Sequence, residues 1–332
     1  MLLSSANFTA QRIVFGNTHE ACFNAGGQRL RHLTTLRMIE RIAKTGSIRR
    51  AAEDLAITPS AVQRRLQTFE AELGEQIFER LANGVRLNAA GELVLLHIRT
   101  QIAETERLKS RVADLAGVRR GHVSIVCSQA MAPVFLPAEI ALYRTQFPNV
   151  SFSVQVASHE GALRALDDLE ADIAIIFDPD DPPKFQTIMA VHQPLCALFS
   201  SNHPLAAIKT LRLRDCLAYP LALPASPFGG RQLLDRAFGQ KSISVKPAVE
   251  SNSFEFLRAH VIEEQSVTFQ IPIGIPASGA SGKIAMRPLD KRDIPGGYLF
   301  VGQRPERALP VASARFADQI ASRLAKKYEA IV

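Results

Sequence analysis

The chain has 332 residues, 47% hydrophobic and 21% charged, which suits two domains, because a single core rarely grows past about 250–300 residues. A formal net charge of +7 gives only a mild bias toward polyanionic partners, and no run reaches the ~18 apolar residues of a membrane span. Cys22, Cys127, Cys196 and Cys216 are too dispersed for a Cys-x-x-Cys zinc site or a disulfide framework and read as reduced thiols of a cytoplasmic protein. Residues 1–29 carry neither the apolar stretch of a secretory signal nor a sustained period, so they are expected to form a disordered extension.

Leu33, Leu36, Ile39 and Ile42 then recur every three residues, with Ala43 beside them, and predict a first helix. Gly46 ends it, and Ser47 is placed to cap a second helix lined by Ile48, Ala51, Ala52 and Leu55, whose small alanines admit a close neighbour. Ala56-Ile57 is the turn. Thr58 is a good N-cap and Pro59 a good first helical residue, since the amide that proline lacks would be unpaired there. The third helix is expected to bury Val62, Leu66, Phe69 and Leu73 and to turn Ser60, Gln63, Arg64 and Gln67 outward. This is the helix-turn-helix plan, in which the last helix enters the major groove. Arg and Gln can pair with guanine and adenine there. A plain three-helix bundle with a solvated polar face would show the same pattern.

The next segment, LGEQIFERLANGVRLNAAGELVLL, predicts a hairpin turning at Asn83-Gly84 and a long helix capped by Asn88. Arg80 and Arg86 make the hairpin basic, as a wing that meets phosphate or the minor groove would be, and Arg50 belongs with them. With GSIRRAAEDLAITPSAVQRRLQTFEAELGEQIFERLANGVRLNAAG complete, residues 33–91 resemble the DNA-binding domain of the LysR-type transcriptional regulators. The chain departs from the family's pattern at Pro59-Ser60, where Gln-Pro is frequent, and at Asn83, where a second wing arginine is frequent. Both bear on which DNA sequence is read.

From Ala89 to about Val118 the composition is helical, and Leu95, Ile98, Ile102, Leu108 and Val112 form a stripe that wants a partner helix. The resemblance implies a linker-helix dimer, hence a homodimer or homotetramer on a dyad-related site. Gly117–Gly121 reads as a hinge. Beyond it HVSIVCS, SFSVQVAS, ADIAIIF, LCALFSS, PLALP, VKPAVES, SVTFQIP, KIAMRPL and GYLFVG are strand-like and mostly alternate with helices, as in a parallel sheet covered on both faces. FLPAEIALYRTQFPNVSFSVQV, LEADIAIIF and SSNHPLA carry the resemblance onward to about residue 325.

The fold expected is therefore α/β: an N-terminal winged helix-turn-helix (30–91), a long linker helix (89–118) and a two-lobed α/β effector-binding domain (121–332) resembling periplasmic-binding-protein type 2. Lobe I is expected to take about 121–192 and 290–332, and lobe II about 193–289, with crossings near His192–Leu195 and Arg287–Pro295. A small-molecule effector belongs at strand C-termini and helix N-termini. That picks out Ser128, Gln129, Ala130, His159 and Phe177 on one side, and Ser226, Phe228, Asn252 and Ser253 on the other. Family members frequently have a hydroxyl where Ala130 stands, and glycine near Gln265-Ser266-Val267.

No Ser/His/Asp constellation, phosphate loop or metal-spaced histidine cluster is legible, so neither enzyme, metal nor cofactor is expected. The turn from Asp178 to Pro183 lacks the glycine and glutamate of a calcium loop. Cys127 lies near the expected cleft, where a redox sensor would sit, but a buried apolar thiol is ordinarily inert. The expectation is a sequence-specific DNA-binding transcriptional regulator, with double-stranded DNA, an effector and RNA polymerase as partners. A solute-binding protein with a non-DNA-binding helical domain is the alternative.

Overall fold

The computed structural model describes residues 33–115, 120–178, 185–275, 282–328 and 330–331. These fall into two compact units, one ending at Ile98 and the other starting at Arg99. The extension 1–29, most of the Gly117–Gly121 hinge and the acidic turn after Asp178 lie outside the described residues.

In the first unit, helices α1 (Leu33–Thr45), α2 (Ile48–Asp54) and α3 (Pro59–Leu73) are followed by strands β1 (Phe78–Leu81) and β2 (Gly84–Leu87) and the start of α4 (Ala89–Leu115). Met38, Ile39 and Ile42 of α1 close on Ala51 and Ala52 of α2 and on Val62 and Leu66 of α3, all at most 3% exposed. The two alanines let the backbones approach, as their size requires. Ser47 caps α2 by accepting from the Arg50 amide, and Asn88 caps α4 by accepting from the Gly91 amide at 2.8 Å. Leu73 is 44% exposed, because α3 outruns the small core and its last turn reaches solvent.

The hairpin differs by one residue from the expected turn. Leu81 pairs with Gly84, so Ala82-Asn83 form the loop and Gly84 begins the strand at φ +141°. The reason is the seat of the wing: the Val85 amide donates to the Gly46 carbonyl at 2.9 Å, and a Cβ on Gly84 would lie 2.3 Å from that oxygen. Docking onto the α1–α2 corner outweighs the local turn preference.

The second unit holds one larger sheet and two smaller ones. The larger has the order β13-β6-β12-β5-β3-β4. Here β3 is Gly121–Cys127, β4 Val150–Val156, β5 Ile173–Asp178, β6 Gln186–Gln193, β12 Gly297–Gln303 and β13 Ala330–Ile331. Helices α5 (Phe135–Gln146) and α6 (His159–Asp167) connect its first strands, and the final helix α10 (Val311–Lys327) follows β12. The smaller set contains β7 (Cys196–Ser200), β8 (Ala222–Pro224), β9 (Val249–Ser251), β10 (Thr268–Gln270) and β11 (Ile284–Pro288), with α7 (Leu213–Cys216), α8 (Gly229–Gln240) and α9 (Phe254–Glu263).

The larger sheet is mixed rather than parallel, and the sheet around β7 is antiparallel. Strands β4, β3 and β5 run parallel, but β12 is antiparallel to both β5 and β6, and β10 and β11 are antiparallel to β7. Strand β12 enters from the smaller set and therefore in the reverse direction. Strand β6 has no clean alternation, only an exposed start and a buried end, which is why its sequence reads as a connection. The chain leaves the large sheet after Gln193 and returns between Pro288 and Gly297. These two crossings are joined where His192 Nε2 lies 2.9 Å from the Pro295 carbonyl oxygen and the Leu289 amide donates to Leu195 at 3.0 Å.

Asp293 anchors the return crossing. Its side chain is 1% exposed and accepts from Arg212 Nε at 2.7 Å, Arg212 Nη2 at 2.8 Å, the Leu213 amide at 2.8 Å, and Lys241 Nζ. The Arg212 guanidinium above all, then Lys241 and the Leu213 amide, hold the carboxyl well below the usual carboxylate range against the opposing cost of burial. An acid whose folded pKa is depressed stabilises fully above its unfolded value of about 3.9 and loses that contribution as the pH falls through the folded value. Asp293→Ala should therefore lower the melting temperature at neutral pH by on the order of 3–6 °C. In thermal melts the gap to wild type should narrow steadily below pH ~4; an equal gap at every pH would show that the carboxylate's charge is not what anchors the crossing.

Candidate nucleic-acid interface and ligand cleft

On α3 the Thr58 hydroxyl accepts from the Ala61 amide at 3.3 Å and sits 3.2 Å from the Ser60 hydroxyl, with Pro59 as the first helical residue. Thr58 and Pro59 are thus occupied in starting the helix. With Val62 and Leu66 buried, Ser60, Arg64 and Gln67 are exposed and Gln63 is half-buried, so the four expected residues form one stripe. Arg65 and Thr68 are exposed beside it and were not singled out from the sequence, where only the most outward positions were taken. Arg50 and Arg80 are exposed. Arg86 is exposed too, but its Nη2 donates to Glu79 across the hairpin at 2.9 Å. That surface pair is weak and screened, so phosphate can compete for the guanidinium.

The stripe along α4 divides. Leu95 and Ile98 are buried within the chain itself, 6% and 1% exposed. Ile102 is half-buried, whereas Leu108 and Val112 are 61% and 57% exposed. Leu93 and Leu96, missed in the sequence because they lie off the chosen seam, are 74% and 44% exposed.

In the second unit, a cavity of about 20 Å³ opens where the C-terminal ends of β3, β4 and β5 meet the start of α8. It has room for about one water. Ser128, His159, Phe177 and Phe228 line it, together with Ser158, Pro227, Gly229 and Gln232. Gly229 starts α8 and was passed over in the sequence as a plain helix entry. A Cβ there would meet the Phe177 carbonyl at 2.5 Å, so only glycine permits this approach. The α6 N-terminus is capped by Ser158, which accepts from the Gly161 amide at 3.3 Å, while α8 begins at Phe228 without a side-chain cap. The Ser128 hydroxyl is buried with no hydrogen-bond partner.

The other expected cleft residues do not line this cavity. Ala130 packs against Gly274, where a Cβ would lie 2.7 Å from the Ala130 carbonyl. Ser226 is exposed beside the lining Pro227. The Ser253 hydroxyl caps α9 by accepting from the Phe256 amide at 3.2 Å. Gln129 and Asn252 are bonded to each other: Gln129 Nε2 donates to the Asn252 carbonyl at 2.9 Å, and its Oε1 accepts from the Phe254 amide at 2.9 Å. Helix starts look alike in sequence whether they face a ligand or a neighbouring loop, which is why these positions were grouped.

Among the described residues no group of three His, Cys, Asp or Glu is placed to hold a metal ion, and no helix is long and apolar enough to cross a membrane.

A winged helix-turn-helix and a two-lobed α/β cleft define a DNA-binding regulator with an attached small-molecule domain. Residues 33–92 match the family of bacterial regulatory helix-turn-helix proteins of lysR type, and residues 116–325 match the LysR substrate binding domain. The chain belongs to the LysR family of transcriptional regulators. It is 26% identical to the transcriptional regulator CbbR of Xanthobacter flavus, covering 85% of each chain. It is 22% identical to the transcriptional activator CmpR of a Synechocystis species, covering 84% of this chain and 91% of that one. A full-length OxyR variant of Pseudomonas aeruginosa shares the fold with a TM-score of 0.65 at 21% identity, over 89% of this chain and 95% of that one. CbnR in complex with its target DNA does so with a TM-score of 0.51 at 19% identity, over 88% and 99%.

The cysteines of the second unit bear on redox sensing. Burial pushes the Cys127, Cys196 and Cys216 thiols up to about 12, and each is at most 2% exposed. A thiolate is the reactive species. In the native protein these three thiols should resist an aromatic disulfide reagent at pH 8 and react only as the unit unfolds. Fast modification of Cys127, read by peptide mass spectrometry, would restore the redox-sensor reading.

Proposed function

We propose that the chain reads a DNA sequence through α3 and responds to a small molecule held between the two lobes of its second unit. Ser60, Gln63, Arg64 and Gln67 touch base edges in the major groove, and Arg50, Arg80 and Arg86 meet phosphate or the minor groove. The observation that carries this reading is the α3 stripe, polar and open to solvent directly opposite buried Val62 and Leu66. The exposed Leu93, Leu96, Leu108 and Val112 support a second copy packed along α4. A homodimer or homotetramer on a dyad-related site follows. Effector binding shifts the population of lobe arrangements, and thereby the spacing of the winged domains and their engagement with RNA polymerase. The protein works in the cytoplasm, where its DNA is, and has no catalytic role.

Selection from a random duplex pool should recover a two-fold symmetric site. On that site Arg64→Ala should cost ~1–3 kcal/mol, about 5- to 150-fold in affinity, and relax base choice at one position. Arg80→Ala should weaken all duplexes alike and reduce the salt slope by about one. If selection enriches no sequence and binding is flat in salt, the solute-binding alternative stands instead.

A further inference from the structure

The two hydrogen bonds of Gln129 have the form of ligand recognition. Its carboxamide comes from the loop after β3 and docks on the start of α9, more than 120 residues away in sequence, with donor on the Asn252 carbonyl and acceptor on the Phe254 amide, each at 2.9 Å. Phe254 is the first residue of α9, and a first-turn amide has no acceptor within its own helix. A carbonyl and an amide two residues apart therefore present a paired edge. It matches a carboxamide at both points, whereas a carboxylate would bring a second acceptor and no donor to the Asn252 carbonyl, and an ammonium would leave the Phe254 amide unmet.

Three neighbouring features fit the same chemistry. The Phe228 ring, a wall of the cavity, meets the Phe254 ring edge-on at 5.6 Å, so the paired edge adjoins the cavity. The residues lining the cavity include no Asp, Glu, Lys or Arg, so no carboxylate, ammonium or guanidinium there pairs with a charged ligand. The buried Ser128 hydroxyl, one residue from Gln129, still lacks a partner and can serve a further polar atom. Gln129 is half-buried and Asn252 exposed, so a solute can reach the pair from outside.

We infer that the Asn252 carbonyl and Phe254 amide form a carboxamide-recognising subsite, occupied by Gln129 as an internal ligand, and that a small neutral carboxamide competes for it. This rests on the reading of the cleft as the effector site. Displacing Gln129 removes its bonds to Asn252 and Phe254, so the same event that admits the ligand unfastens the loop after β3 from the start of α9.

The test uses the full-length protein, amide hydrogen exchange at Phe254, and propionamide with propionate as the charged control. Gln129→Ala, and Gln129→Met as a variant of unchanged length, should speed exchange at Phe254 by about tenfold while amides of α10 keep wild-type protection. Propionamide should restore protection in both variants, and propionate should not. Unchanged exchange in both variants, absence of rescue, or equal rescue by propionate would each overturn the inference. The cleft reading is tested separately with a metabolite panel: a compound that raises the melting temperature while leaving the Ser128, Ser158 and Gly229 amides unchanged would place the effector elsewhere, whatever the rescue shows.

Discussion

The rotation of α3 about its own axis is the constraint on which the proposed DNA-reading stripe depends. Val62 and Leu66 are held in the core by Ala51, Ala52, Met38 and Ile42. Four residues later along a helix is nearly the same face, and one or two residues later is not. Once the buried pair is seated, Ser60, Arg64 and Gln67 have no choice but to face solvent. A polar substitution at Val62 would therefore change which side chains α3 turns to solvent, by freeing the helix to rotate.

Both units achieve their close contacts by bringing backbone onto backbone, and this makes glycine a structural element of each. Gly84 lets the wing rest on the Gly46 carbonyl, and Gly229 lets α8 approach the end of β5. Neither contact has a side chain to adapt, so the spacing is set rather than adjustable. In the second unit this leaves the cleft narrow, with adaptation confined to side chains such as Gln129 and Phe228.

The polar groups of the second unit are divided by task. Asp293 is surrounded by cationic and amide donors and fastens a crossing, while the cleft itself is lined by hydroxyls, an imidazole, an amide and aromatic rings. Full charges thus stand where the crossing is fastened, and neutral hydrogen-bonding groups where the proposed ligand would enter. A buried unpaired charge in the cleft would be costly without a ligand, whereas a hydroxyl such as that of Ser128 tolerates being left unmet at a smaller cost.

Local chemistry was legible in the sequence wherever it acts through neighbours a few residues apart. The caps Ser47, Thr58 and Asn88, the small residues of α2 and the outward set on α3 all follow from spacing, because helix periodicity and capping are short-range effects. The buried strands β3, β5 and β7 were legible for the same reason. What the tertiary structure alone decided involves partners far apart in the chain. The wing turn moved by one residue to meet Gly46, Leu95 and Ile98 went inward to finish a small core, β12 entered its sheet in reverse, and Gln129 bonded to Asn252 and Phe254. Each depends on which surfaces meet after folding, and a linear pattern carries the preference of a segment but not the identity of its neighbour.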